Sequence, residues 1–145
     1  MILRLFAVFL LALQGGPIDG EQLRGAETAF AIRAAVCSDG ECDAKRGELL
    51  SIIAAEETRG RDGVRGDRGA SCGRYQLGSA ARVGVSCDSL DADPYLDART
   101  AYAALLTFER QCGSMHAGLA AYASGSCTRA LWYADRRCRL AGGCP

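Results

Sequence analysis

Eight cysteines, Cys37, Cys42, Cys72, Cys87, Cys112, Cys127, Cys138 and Cys144, constrain this chain more than any other feature. All of them lie beyond an apolar N-terminal run, and none lies inside it. That run, Met1 to Leu13, holds Arg4 and then only apolar residues before Gln14-Gly15-Gly16-Pro17, which is the shape of a signal peptide. It falls short of the roughly 20 apolar residues a membrane-spanning helix needs. It also lacks the polar face that a buried surface helix would show. Residues 1–20 are therefore expected to be a signal peptide and 21–145 the exported domain, periplasmic or extracellular. An even number of cysteines in an exported chain implies disulfides. Zinc is the competing use of thiols, but no Cys-x-x-Cys pair occurs and His116 is the only histidine, so no metal is expected. Spacing leaves the pairing open, since four bridges allow roughly a hundred connectivities.

At 145 residues the chain has room for one core. Its 17 basic and 17 acidic residues are spread evenly, so no footprint for nucleic acid or anionic lipid emerges. Leu23, Ala26, Phe30 and Ala34 recur at helical spacing between Glu21 and Val36, ahead of a turn at Cys37-Ser38-Asp39-Gly40. Leu49, Leu50, Ile52 and Ile53 cluster on one side of a helix over Ala44 to Thr58, and a Gly-rich charged loop comes next, from Gly60 to Gly69. Ser79 can cap a brief helix ending at Gly84. Asp93-Pro94 is a stronger start, because Asp caps free N–H groups and Pro suits the first helical position. The stripe Ala98, Ala101, Tyr102, Leu105 and Leu106 predicts the longest helix behind it. Met115 to Tyr122 and Thr128 to Arg139 complete the set, and strand signals are weak. The expected fold is mainly α: a single small helical domain, disulfide-braced.

Glu56 and Glu57 end the second apolar stripe. At 100° per residue they fall on its opposite margins, so periodicity does not choose between them, and alone they read as solvated charges at a helix end. What singles them out is the order of features downstream. Ile53-Ala54-Ala55-Glu56-Glu57-Thr58 precedes, in turn, Gly69-Ala70, Gly73-Arg74-Tyr75-Gln76-Leu77, Asp93-Pro94-Tyr95-Leu96-Asp97 and Ala120-Ala121-Tyr122-Ala123-Ser124-Gly125. This order resembles the lytic transglycosylases of the soluble (SLT) type, within the lysozyme-like superfamily. Those enzymes carry an apolar helix ending in Glu-Ser, a Gly-Ala pair, Gly-Leu-Met-Gln, Asp-Pro-x-x-Asn and Ala-Tyr-Asn-Ala-Gly. The resemblance spans about Glu48 to Gly125.

The resemblance implies a lysozyme-like domain that cleaves the MurNAc-GlcNAc bond of peptidoglycan, with Glu57 as the catalytic residue and Glu56 as the runner-up. It implies substrate-binding roles for Thr58, Gly73, Tyr75, Gln76 and Tyr122, with peptidoglycan glycan strands as the partner. No cofactor, nucleic acid or membrane span is implied, and a monomer is expected. Thr58 stands where the family has Ser, one extra residue separates Gly69-Ala70 from Gly73, Asp97 replaces Asn, and Ala123 replaces the Asn after the tyrosine. Cys72, beside Gly73, and Cys127, behind Tyr122, are placed to brace the two walls of a cleft.

Glycosidic cleavage needs a proton on the leaving oxygen as positive charge builds at the anomeric carbon. Burial against Ile53, Tyr75 and Tyr122 would keep Glu57 protonated for that step. In the resembled family the same glutamate then deprotonates the sugar's own 6-hydroxyl, forming a 1,6-anhydro-MurNAc end without water. A hydrolytic, lysozyme-type muramidase is the nearest alternative. It requires a second carboxylate at about 5 to 9.5 Å, for which Asp62 and Asp67 are available. A non-catalytic secreted scaffold that binds glycan or protein is a further alternative. His116 reads as a surface or capping side chain, Asp97 as structural, and Trp132 and Tyr133 as core aromatics, although either could stack on a sugar.

Overall fold

The computed structural model describes residues 20–145; the expected signal peptide lies outside them except for Gly20. The chain is mainly helical, with seven α-helices and two very short hairpins among the described residues. Helix α1 (Gly20–Val36) buries Thr28, Ala31, Ile32 and Val36, whereas Leu23 and Phe30 of the expected stripe face outward. The helix is rich in alanine and offers two weak apolar faces, so its contacts with the rest of the domain decide which is covered. A turn at Asp39-Gly40, both with positive φ, joins β1 (Cys37–Ser38) to β2 (Glu41–Cys42).

Asp43 caps α2 (Ala44–Glu57) by accepting the Arg46 N–H at 3.2 Å, and the run Leu49 to Ala54 is buried. The Gly-rich stretch beyond it is less irregular than its composition suggests. It forms β3 (Arg65–Gly66), one 3-10 turn (Asp67–Gly69) and β4 (Ser71–Cys72), with Arg65 opposite Cys72 and Gly66 opposite Ser71. Two-residue strands leave no period-2 signature, which is why the hairpin is invisible in the sequence. The short helix α3 (Ser79–Arg82) is preceded by Gly78 as its cap rather than Ser79, and it ends on Val83 in the left-handed region. Helix α4 (Cys87–Ala92), capped by Ser86, is too short to announce itself by periodicity.

Asp93 and Pro94 open α5 (Pro94–Cys112) as anticipated: the Asp93 carboxylate accepts the N–H groups of Tyr95 at 2.8 Å and Leu96 at 3.0 Å. At 19 residues it is the longest helix among the described residues, and α1, α2, α3 and α4 all pack on it. Ser114 caps α6 (Met115–Ser124). At Gly118 the backbones of α5 and α6 nearly touch, for a Cβ there would lie 2.8 Å from the Glu109 nitrogen. The final helix α7 (Leu131–Leu140) starts three residues later than expected, because Ala130 takes a positive φ of 51°. It packs on α6 and on α2.

All eight cysteines pair, as Cys37–Cys42, Cys72–Cys87, Cys112–Cys127 and Cys138–Cys144, so none remains as a metal ligand. Such a density points to folding in an oxidising, extracytoplasmic environment. Among the described residues no helix is long and apolar enough to cross a membrane.

Candidate functional site

Glu57 is the last residue of α2, and the segments packed around that helix end hold it still. The buried Thr58 hydroxyl donates to the Arg74 carbonyl at 2.9 Å and lies 3.3 Å from the Ala54 carbonyl. Arg74 in turn donates its backbone N–H to the Asp97 carboxylate at 2.7 Å. Gly73, at φ +77°, lies so close to Asp97 that a Cβ would sit 2.5 Å from its Oδ1. The α2 end, the Cys72–Leu77 loop and the start of α5 are thereby locked together around a buried carboxyl group. Asp97 is fully buried; that burial pushes its pKa up to about 7, although the Arg74 N–H and guanidinium pull the other way.

In front of this lock lies a cavity of about 470 Å³, walled on one side by the β3–β4 hairpin and the loop after it, and on the other by α6 and α7. Glu57, Gln76 and Tyr122 all line it. The Tyr122 hydroxyl spans the two walls by donating to the Tyr75 carbonyl at 2.7 Å. Gln76 takes a φ of 50° and spends its amide N–H groups on the carbonyls of Val64, at 3.1 Å, and Gly73, at 3.0 Å. It fastens the hairpin as well as facing the cavity. Each wall has its own disulfide: Cys72–Cys87 ties the hairpin to α4, and Cys112–Cys127 ties the segment after Tyr122 to the end of α5.

Three expected contact residues do not reach the cavity. Tyr75 is fully buried in the core, Thr58 points into the α2 lock, and Gly73 faces Asp97. Each sits on a segment that also supplies a cavity-lining residue, and sequence spacing does not tell which residue of a segment turns inward. Their place in the structure is to position Glu57 and Gln76.

The two glutamates separate clearly. Glu56 turns to α7, where its Oε1 accepts from Arg136 at 2.6 and 2.8 Å, while Glu57 faces the cavity. The expected apolar pocket of Ile53, Tyr75 and Tyr122 around Glu57 is not what the structure shows: Asp67, Ser71, Gln76 and Ser79 line the cavity with it, Ile53 and Tyr75 do not, and a cation pairs with it. The buried guanidinium of Arg137 donates to Glu57 Oε1 at 2.8 Å, reaches Glu56 Oε2 at 3.3 Å and lies 3.4 Å over the Tyr133 ring. Tyr133 and Arg137 stand one turn apart on α7, a spacing at which helical side chains meet, and this is the signal in the sequence for their contact. Burial pushes the phenols of both Tyr122 and Tyr133 up, and the Glu57 charge nearby pushes them further, so each stays a neutral hydroxyl.

Of the two loop carboxylates, Asp67 lines the cavity and accepts from the Ser71 hydroxyl at 2.6 Å. Asp62 lies outside it, exposed, 3.8 Å from the Arg74 guanidinium. Positive φ values at Asp67, Arg68 and Gln76 concentrate backbone strain on this wall. Tyr133 is nearly buried, as expected of a core aromatic, but Trp132 is 69% exposed and stands at the cavity rim. His116 is a surface residue paired with Asp135 at 2.7 Å. No protein-family model, curated protein or solved structure matches the chain.

Proposed function

We propose that this protein is an exported peptidoglycan lytic transglycosylase of lysozyme-like fold, with Glu57 as its one catalytic carboxyl group. The observation that carries the reading is the meeting of Glu57, Gln76 and Tyr122 in one cavity, from three segments far apart in sequence. These are the positions at which the ordered motifs resemble the SLT-type enzymes. Thr58, Gly73 and Tyr75 belong to the same motifs and hold these groups in place from behind.

In this reading a glycan strand lies across the cavity with its scissile oxygen over Glu57. The carboxyl group delivers a proton to that oxygen, then removes one from the 6-hydroxyl as it closes on C1. To do so Glu57 has first to leave Arg137 and take up a proton from solvent; Arg137 Nη1 keeps Glu56 as a partner, so the guanidinium is not stranded. The neutral Tyr122 and Tyr133 hydroxyls flank the carboxyl group without adding charge.

A second reading, hydrolysis, is favoured by one observation: Asp67 lines the same cavity and can orient or activate a water. Digesting purified peptidoglycan and reading product masses separates the two. Anhydro ends support transglycosylation, reducing ends support hydrolysis, and an undigested wall refutes both. Glu57→Gln is expected to lower the rate about a hundredfold or more while leaving the circular dichroism spectrum unchanged.

A further inference from the structure

The chain has a single tryptophan, Trp132, and at 69% exposed it is the largest of the apolar side chains left in solvent, a set that also holds Leu23, Phe30, Val83, Tyr95, Leu131 and Leu140. Exposing an indole forfeits much of the stabilisation its large apolar area would bring in a core. Its neighbour Tyr133, one residue on, is only 6% exposed, so the apolar interior is within reach of this helix start. The irregular entry to α7 turns the indole outward: Ala130 takes a positive φ of 51°, no side chain caps the helix, and Trp132 comes to rest on the rim of the Glu57 cavity. There it packs edge-on with Tyr133, ring centroids 6.0 Å apart and planes at 76°, and Tyr133 is itself pinned by the Arg137 guanidinium. The indole is therefore solvent-exposed yet supported from beneath.

We propose that Trp132 is the platform of a sugar-binding subsite at the mouth of this cavity, taking the face of an uncharged, N-acetylated pyranose. The proposal rests on the glycan reading of the Glu57 site and names the residue that would seat the strand beside it. A pyranose has an apolar C–H face and a polar rim. The C–H face packs on an aromatic ring, whose face carries the negative part of its quadrupole. The rim needs hydroxyl and amide partners. The cavity supplies that combination, with Ala121 and Phe108 among polar Ser71, Ser79 and Gln76. Its charges are already engaged, Glu57 by Arg137 and Asp67 by Ser71, which suits a neutral ring better than an ionic ligand.

Because no other tryptophan exists, tryptophan emission excited beyond the tyrosine absorption band reports on this position alone. The Glu57→Gln protein, which binds without turnover in this reading, is titrated with a soluble N-acetylglucosamine oligomer, following emission and, in parallel, heat. A saturable emission shift is expected, with the calorimetric affinity falling about tenfold or more in Trp132→Ala and largely restored in Trp132→Phe. Trp132 is exposed, so neither variant should unfold the domain, and thermal melting checks this. Binding with unchanged emission, or equal affinity in Trp132→Ala, overturns the subsite. Peptidoglycan digestion by the wild type without any oligomer binding also overturns it and leaves the enzymatic reading standing. A Trp132 response in a protein that digests nothing supports the subsite and overturns the enzyme. Failure of both refutes both.

Discussion

Asp97→Asn should make the protein more stable at neutral pH and not at acidic pH. Asp97 is wholly buried, and burial raises its carboxyl pKa from 3.8 to about 7. A raised folded-state pKa means that the native state holds the proton more tightly than the unfolded chain does. The stabilisation from the protonated group is complete below about pH 4, the unfolded value, and is lost as pH climbs through about 7. About three pH units at about 1.4 kcal/mol each set a ceiling of about 4 kcal/mol on that loss. Asparagine has no proton to lose, and its carbonyl can still accept the Arg74 N–H that Asp97 binds at 2.7 Å. Against this, the variant gives up the carboxylate 3.8 Å from the Arg74 guanidinium, which keeps Glu27 at 3.2 Å. The expected net gain at about pH 8 is therefore about 1–3 kcal/mol, shrinking to zero or reversing near pH 4. Urea unfolding of both proteins across that range measures it, and the other carboxylates titrate in both and cancel in the difference. A difference that stays constant from about pH 4 to 8 would refute the reasoning.

Further expectations concern the scaffold. Gly118→Ala drives a methyl group against the Glu109 backbone at 2.8 Å and should lower stability by about 1–3 kcal/mol, despite the better helix propensity of alanine; an unshifted urea midpoint would count against the close α5–α6 contact. Replacing Cys72 and Cys87 together by serine opens a loop of separation 15 and should cost about 3 kcal/mol in thermal or urea unfolding, with no loss expected if the bridge does not form in solution. Arg137→Met leaves Glu57 without its partner beside Glu56, which keeps Arg136. Because both remain partly exposed, the expected cost is about 2 kcal/mol, less than for a fully buried pair, and a more stable variant would contradict the ion-pair geometry.

Much of this molecule is legible in its local chemistry. Asp93-Pro94 announces the start of α5 because capping and a fixed proline φ act within one turn, and the structure shows both cap bonds. The apolar run from Leu49 to Ala54 marks α2 because a core helix has to bury it. An even set of eight cysteines foretells oxidation, since thiols at that density pair in an oxidising environment. Other features depend on neighbours that are remote in sequence. The covered face of α1 is one, with Thr28, Ala31 and Ile32 chosen over Leu23 and Phe30 by the helices packed on it.

The divide is sharpest at the cavity. The resemblance in motif order points to Glu57, Thr58, Gly73, Tyr75, Gln76 and Tyr122, and of these Glu57, Gln76 and Tyr122 line a common space. Order could not show that Tyr75, Thr58 and Gly73 turn the other way, that Arg137 reaches across from α7 to both glutamates, or that Trp132 stands outside the core. Caps, turns and apolar runs act over a few bonds and so are written along the chain. Which disulfide forms, which carboxyl group meets a guanidinium and which aromatic stays wet depend on distances through space, and these exist only once the helices have packed.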